Sequence, residues 1–224
     1  MLQNLEYPTN LPWEQGEPTT VRLGIFGGTF DPVHYGHLLL AESCREQAAL
    51  DKVWFLPTAV PPHKQGRELT PVEQRVEMLE LAIAGHEAFS VCRYEAARGG
   101  VNYTADTLAH FREEDPGREL FFLMGADMLA DLPTWREPGR ICRLATLVVV
   151  RRPGAVPIDF GPLGSIGGEE AAERACRHQV EMPEIDLSGT EIRRRVAAGG
   201  SIRYHTPRAV EKYIEAQGLY REPS

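Results

Sequence analysis

The sequence predicts an α/β protein: a doubly wound parallel sheet with a small helical portion towards the C-terminus. Three observations carry that expectation. Short β-branched or apolar runs alternate with helical patterns through most of the chain. The run 146–150 is almost wholly apolar, as in a strand covered on both faces. The first such run ends at Gly27-Gly28, turns through Asp31-Pro32 and enters a helix near His34, and in an open parallel sheet the crevice at such a strand end is where ligands bind.

Taken in order, residues 1–20 carry Pro8, Pro12 and Pro18 among polar residues and read as a loosely ordered tail or strap, with Trp13 a candidate anchor. A single domain is expected over 21–220. Residues 21–26 read as a strand, 38–50 as a helix and 53–56 as a second strand. Thr70-Pro71-Val72-Glu73 predicts a helix start, with Thr70 as cap, Glu73 closing a capping box and Pro71 in the first turn. That helix should run to about Ala84, where Gly85 can end it. Strands are expected at 89–94, 120–124 and 146–150, and helices at 104–111, 190–198 and 207–217, the last closed by Gly218. The glycine-rich stretch 161–168 reads as a surface loop.

Composition bounds the function classes. The chain has 224 residues, enough to bury roughly 70% of its unfolded surface without staples. Lys and Arg total 24 against 32 Asp and Glu, a net charge of -8, which argues against broad duplex or membrane-surface binding. Neither a nucleic acid nor a membrane is therefore expected as partner, and a homo-oligomer is left open. Cys44, Cys92, Cys142 and Cys176 show no metal-like spacing and read as thiols of a reducing compartment. No run reaches bilayer-spanning length and no secretory leader is visible, so a cytoplasmic protein is expected.

The chemistry concentrates in Gly24-Ile25-Phe26-Gly27-Gly28-Thr29-Phe30-Asp31-Pro32-Val33-His34-Tyr35-Gly36-His37. Glycines at a strand end let backbone N–H groups approach a phosphate with no Cβ in the way. His34 and His37, three apart, share one helix face near its positive end and suit phosphate oxygens. In Asp186-Leu187-Ser188-Gly189-Thr190-Glu191-Ile192-Arg193, Ser188 or Thr190 can cap a helix whose free N–H groups favour an anion, and Arg193 offers a planar fork. Arg194 and Arg195 read as a solvated face.

The first stretch resembles, nearly residue for residue, the G-[GS]-[TS]-F-D-P-[VI]-H-x-G-H signature of the nucleotidyltransferase α/β phosphodiesterase superfamily. Within it the chain is most similar to the bacterial nicotinate mononucleotide adenylyltransferases. The second stretch is similar to the superfamily's I-S-S-T-x-I-R motif, with Gly189 standing where the family has a second serine. Three further segments fit: Pro61-Pro62-His63-Lys64, Asn102-Tyr103-Thr104-Ala105-Asp106-Thr107-Leu108, and Gly125-Ala126-Asp127-Met128 followed by Leu132-Pro133-Thr134-Trp135-Arg136.

The resemblance implies a Rossmann-like fold and transfer of AMP from ATP to nicotinate mononucleotide, giving deamido-NAD and pyrophosphate. It implies ATP contacts from Gly27, Gly28, Thr29 and Phe30, from His34, Gly36 and His37, from Gly125 and Asp127, and from Ser188, Thr190 and Arg193. For the mononucleotide it implies Lys64, Tyr103, Thr104, Asp106, Trp135 and Arg136, with the tryptophan stacked on the pyridine ring; core packing is the rival role for Trp135, and a helix cap that for Thr104. Mg²⁺ is expected with ATP and no metal site on the protein. The acceptor phosphate, with a second pKa of about 6, is already largely a dianion at neutral pH, so no general base is needed. His37 is then expected to stabilise transition-state charge, with His34 and the 27–30 backbone holding phosphates and Arg193 clamping the β and γ groups, and these three residues form the expected catalytic set. Asp31 either orients the turn or helps place the metal. Arg75 is expected in a structural ion pair, and His86, His110, His178 and His205 outside the chemistry. Open alternatives are the amide mononucleotide as acceptor, phosphopantetheine as acceptor, and a non-catalytic nucleotide sensor.

Overall fold

The computed structural model describes residues 20–59, 69–151 and 157–221. Residues 1–19, with Trp13, and the 60–68 segment, with Lys64, lie outside the described residues. The strands are β1 (Arg22–Gly28), β2 (Lys52–Pro57), β3 (Phe89–Val91), β4 (Glu119–Gly125), β5 (Thr146–Arg151) and β6 (Gln179–Glu181). They form one sheet in the order β3-β2-β1-β4-β5-β6, every pairing parallel. Chain order reverses between β1 and β4, so the crevice beyond their carboxyl ends is the topological switch point.

The pleat divides the apolar residues between two cores. Along β4, Phe121 and Leu123 face one side while Leu120, Phe122 and Met124 face the other. In β5, Val148 and Val150 oppose Leu147 and Val149, which is why an unbroken apolar run was needed there. The first core is closed by α1 (Tyr35–Gln47), α2 (Val72–Ile83) and the C-terminal helices α9 (Gly189–Ala197) and α10 (Arg208–Gln217). The second is closed mainly by α4 (Thr104–Glu114), α6 (Pro138–Leu144) and α8 (Glu169–Arg177). Between them run α3 (Tyr94–Arg98), α5 (Ala126–Asp131), a single 3-10 turn at Leu132–Thr134, and α7 (Gly161–Gly167).

The alternation of strands and helices stands as expected, and Gly218, at φ +64°, closes α10. Several local expectations need correction. Thr70 caps nothing: Pro71 is the N-cap of α2 and no capping box forms, because the Thr70 backbone is drawn into the site, its N–H donating to Asp31 Oδ2 at 3.4 Å and its carbonyl accepting Arg75 Nε at 2.8 Å. Tyr103, not Thr104, is the N-cap of α4. The third strand stops at Val91, and Tyr94 already opens α3. The 161–168 stretch is α7 and not a loop. Its Gly167 serves helix packing, since a Cβ there would lie 2.6 Å from Cys142 Cβ on α6. Edge strand β6 and helix α8 were not anticipated. Among the described residues no helix is long and apolar enough to cross a membrane.

Candidate active site

A cleft of about 1280 Å³ opens at the switch point, larger than the 300–1,000 Å³ usual for one drug-sized ligand. Its first wall is the turn between β1 and α1. Gly28 sits tightly there: a Cβ would meet the Phe30 ring at 3.0 Å. Phe30 itself takes a left-handed backbone, φ +47°, is buried, and lines the cleft.

The two signature histidines stack at 3.7 Å between centroids, 21° from parallel. His34 is the N-cap of α1, and its backbone N–H donates to His37 Nδ1 at 3.3 Å. A neutral imidazole that accepts at Nδ1 carries its proton at Nε2, so His37 is held as an Nε2–H donor. Phe30 and Phe26 pack edge-on against its ring, at 5.0 and 6.0 Å. Burial pushes the His34 imidazole down to about 4, and the ring is neutral at physiological pH.

The second wall is the start of α9. Ser188 is its N-cap, the hydroxyl accepting from Glu191 N–H at 3.2 Å. Arg193 reaches back to the first wall, Nη1 donating to the Asp31 carbonyl at 2.5 Å and Nη2 to Thr190 Oγ1 at 3.3 Å. The departure at Gly189 has a physical reason here, because a Cβ would lie 2.7 Å from that same carbonyl. The Asp31 carboxylate is buried, with Oδ1 accepting the Tyr220 hydroxyl at 2.6 Å. Of the two roles left open for Asp31, this geometry favours orienting the turn.

Arg75 corrects an expectation. It is fully buried and, among the described residues, makes no ion pair; its guanidinium donates to the carbonyls of Thr29 (2.7 Å), Thr58 (2.9 Å), Ala59 (3.2 Å) and Thr70 (2.8 Å). One planar fork thus joins the signature turn to the chain on both sides of the 60–68 segment.

The other half of the cleft is aromatic. Trp135 is partly buried and edge-on to Phe122 at 6.0 Å, so it both packs on the core and lines the cleft. Arg136 lies 4.4 Å over the Tyr103 ring. Gly125 makes room for the Asp127 carboxylate, since a Cβ would sit 2.4 Å from Asp127 Oδ1. Among the described residues, every anticipated site residue except Asp106 lines this one cleft. Asp106 does not: it pairs with Arg140 at 3.2 Å and Arg136 at 3.8 Å, and so braces a lining residue from behind. His86, His110, His178 and His205 are all away from it.

Sequence reasoning missed Glu95 and the side chain of Asn102. Both are buried and belong to the aromatic half. Burial raises the Glu95 carboxyl above its ordinary range, partly offset by the Thr107 hydroxyl donating at 2.8 Å. Asn102 Nδ2 donates to the carbonyls of Glu95, Gly99 and Gly100, each at 3.3 Å, closing a turn in which both glycines have positive φ. No spacing in the sequence joins Glu95 to the cleft. The run Gly99-Gly100 ahead of Asn102 was the available sign of a turn needing a side-chain clasp.

The fold and site define a nucleotidyltransferase-like α/β domain. A cytidylyltransferase-like family model matches residues 25–195. A Thermomicrobium roseum protein named "probable nicotinate-nucleotide adenylyltransferase" is 48% identical over 89% of this chain and 92% of its own. A Thermus thermophilus protein of the same name is 46% identical over 90% of this chain and 100% of its own. In fold, the chain is similar to Plasmodium falciparum nicotinic acid mononucleotide adenylyltransferase complexed with NaAD, with a TM-score of 0.71 at 19% identity over 89% of this chain and 97% of that one. The chain belongs to the cytidylyltransferase-like family and, within it, to the nicotinate-nucleotide adenylyltransferases.

Proposed function

We propose that the chain transfers AMP from ATP to nicotinate mononucleotide, forming deamido-NAD and pyrophosphate in NAD biosynthesis. The observation that carries this reading is the single cleft in which a glycine-and-histidine turn, the capped start of α9 and the Trp135 wall meet. The acceptor's 5′-phosphate attacks the α-phosphorus and pyrophosphate leaves, so the work is positioning and charge stabilisation. His37 donates from Nε2 to the α-phosphoryl oxygens as charge develops. His34, neutral, serves with the 27–30 backbone by hydrogen bonding and not by charge. Ser188, Thr190 and Arg193 hold the β and γ groups, and Gly36, Gly125 and Asp127 complete the ATP half. Tyr103, Thr104, Trp135 and Arg136 form the mononucleotide half, with Asp106 acting through Arg136.

Magnesium belongs to the substrate in this reading. Among the described residues no three His, Cys, Asp or Glu converge as metal ligands, and the Asp31 carboxylate is turned to Tyr220 and Thr70. That donor set suits an ion that arrives on the triphosphate and screens its charge. Free thiols at Cys44, Cys92, Cys142 and Cys176 agree with a cytoplasmic setting.

Pyrophosphate release from Mg-ATP, measured in parallel with nicotinate mononucleotide, nicotinamide mononucleotide and phosphopantetheine, tests the reading. Strong preference for the first is expected. Turnover with another acceptor alone would keep the adenylyl transfer and overturn the substrate. ATP binding without turnover on any acceptor would make the chain a nucleotide sensor.

A further inference from the structure

Three segments distant in sequence converge on Asp31. Its Oδ1 accepts the Tyr220 hydroxyl at 2.6 Å, its Oδ2 the Thr70 N–H at 3.4 Å, and its carbonyl Arg193 Nη1 at 2.5 Å. Tyr220 follows α10 and does not line the cleft. Its backbone lies in the left-handed region, φ +62°, a conformation that costs a non-glycine residue energy. That strain accompanies a ring turned inward to the one buried carboxylate of the signature turn. Burial and the adjacent Asp31 carboxylate hold the hydroxyl far above its ordinary range, so it is a donor at every working pH.

The rest of the C-terminal portion supports the same turn. Thr206 Oγ1 donates to the Val33 carbonyl at 2.8 Å, and Tyr35 N–H donates to the His205 carbonyl at 3.1 Å. The α10 helix is itself fixed by buried Val210 and Ile214 and by the Tyr213 hydroxyl donating to Glu77 on α2.

We propose that Tyr220 is a positioning residue of the adenylyl-transfer site: its hydroxyl fixes the Asp31 carboxylate, and with it the carbonyl that aims the Arg193 guanidinium at the triphosphate. The proposal rests on the function proposed above. Without the hydroxyl, Asp31 Oδ1 stays buried with its donor gone. The turn then relaxes, the Asp31 carbonyl shifts, and Arg193 loses its bearing on ATP. The mononucleotide half, built on α4 and the Trp135 segment, is untouched.

The test uses the full chain as Tyr220→Phe, with Tyr213→Phe as control, since it removes another tyrosine–carboxylate bond from the same C-terminal portion at a place remote from the turn. For Tyr220→Phe, kcat/KM for Mg-ATP should fall about tenfold, the size expected from losing one hydrogen bond to a charged group, with KM for nicotinate mononucleotide within about twofold. Tyr213→Phe should lower Tm comparably and leave both constants alone. Combined with Asp31→Asn, the Tyr220→Phe loss should not add to that of Asp31→Asn alone. Wild-type kcat/KM for ATP in Tyr220→Phe, or an equal loss in Tyr213→Phe, would overturn the proposal. If the wild-type chain binds Mg-ATP but turns over no acceptor, the functional reading fails separately. Calorimetric affinity for Mg-ATP then decides, with a tenfold weakening confined to Tyr220→Phe supporting the positioning role and equal affinities removing it. A wild-type chain that neither binds nor turns over Mg-ATP overturns both.

Discussion

His34 and His37 share one stack but have opposite surroundings. His34 is buried and held neutral, its imidazole protonating only near pH 4 instead of 6.5. Between those values the unfolded chain holds the proton and the folded chain does not. Stability therefore rises with pH through this window, is fully present above pH 6.5, and is lost as pH falls towards 4. The contribution is about 3 kcal/mol, and chemical denaturation of wild type and His34→Asn at pH 4.5 and 7 should show this slope only in the wild type. His37 is oriented as a donor by the His34 N–H. His37→Ala should lower kcat by about 10²–10³, as for loss of one preorganised donor, while KM for either substrate moves only a few-fold. Initial rates of pyrophosphate release measure this, and an unchanged kcat would remove His37 from transition-state stabilisation. Both histidines and their separate roles could be expected from the sequence, but the neutral state of His34 and the held tautomer of His37 could not. Those depend on how each ring is buried and hydrogen-bonded, which spacing along a helix does not encode.

At the scale of elements, the two segments proposed to bind phosphate are pressed together. Ser188 caps α9 as its sequence suggests, and the cap brings the first turn against the Asp31 carbonyl. Alanine at an ordinary helical position is favoured over glycine by about 1 kcal/mol. At Gly189 the sign should reverse, because the new Cβ meets a backbone oxygen at 2.7 Å that no rotamer can move. Gly189→Ala should cost about 1–2 kcal/mol by thermal denaturation and raise KM for ATP. A stabilised variant would show that the turn and helix are not in this contact. Thr70 teaches the converse. It has good capping chemistry, yet its backbone is taken by Asp31 and Arg75 and the local preference loses. The glycines of 161–168 misled for a related reason: a glycine that lets two helices approach looks, in sequence, like a glycine that lets a chain turn.

Over the whole molecule, the strand order β3-β2-β1-β4-β5-β6 brings chemistry from four distant segments to one crevice. Residues 27–37, 103–104, 125–136 and 188–193 meet there because β1 and β4 are neighbours and α9 returns across their carboxyl ends. The sequence by itself determined the α/β class, the central strands and the two stretches that meet in the cleft. It did so because apolar periodicity, glycine pairs and capping residues are local properties, and because a long motif leaves little room for chance. The tertiary structure alone decided that Arg75 grips four carbonyls, that Asp106 braces Arg136 from behind, and that Tyr220 closes on Asp31 across nearly the whole chain. Those contacts join residues with no periodic relation. Their partners are backbone carbonyls or single buried side chains, selected by where the folded sheet and helices place them.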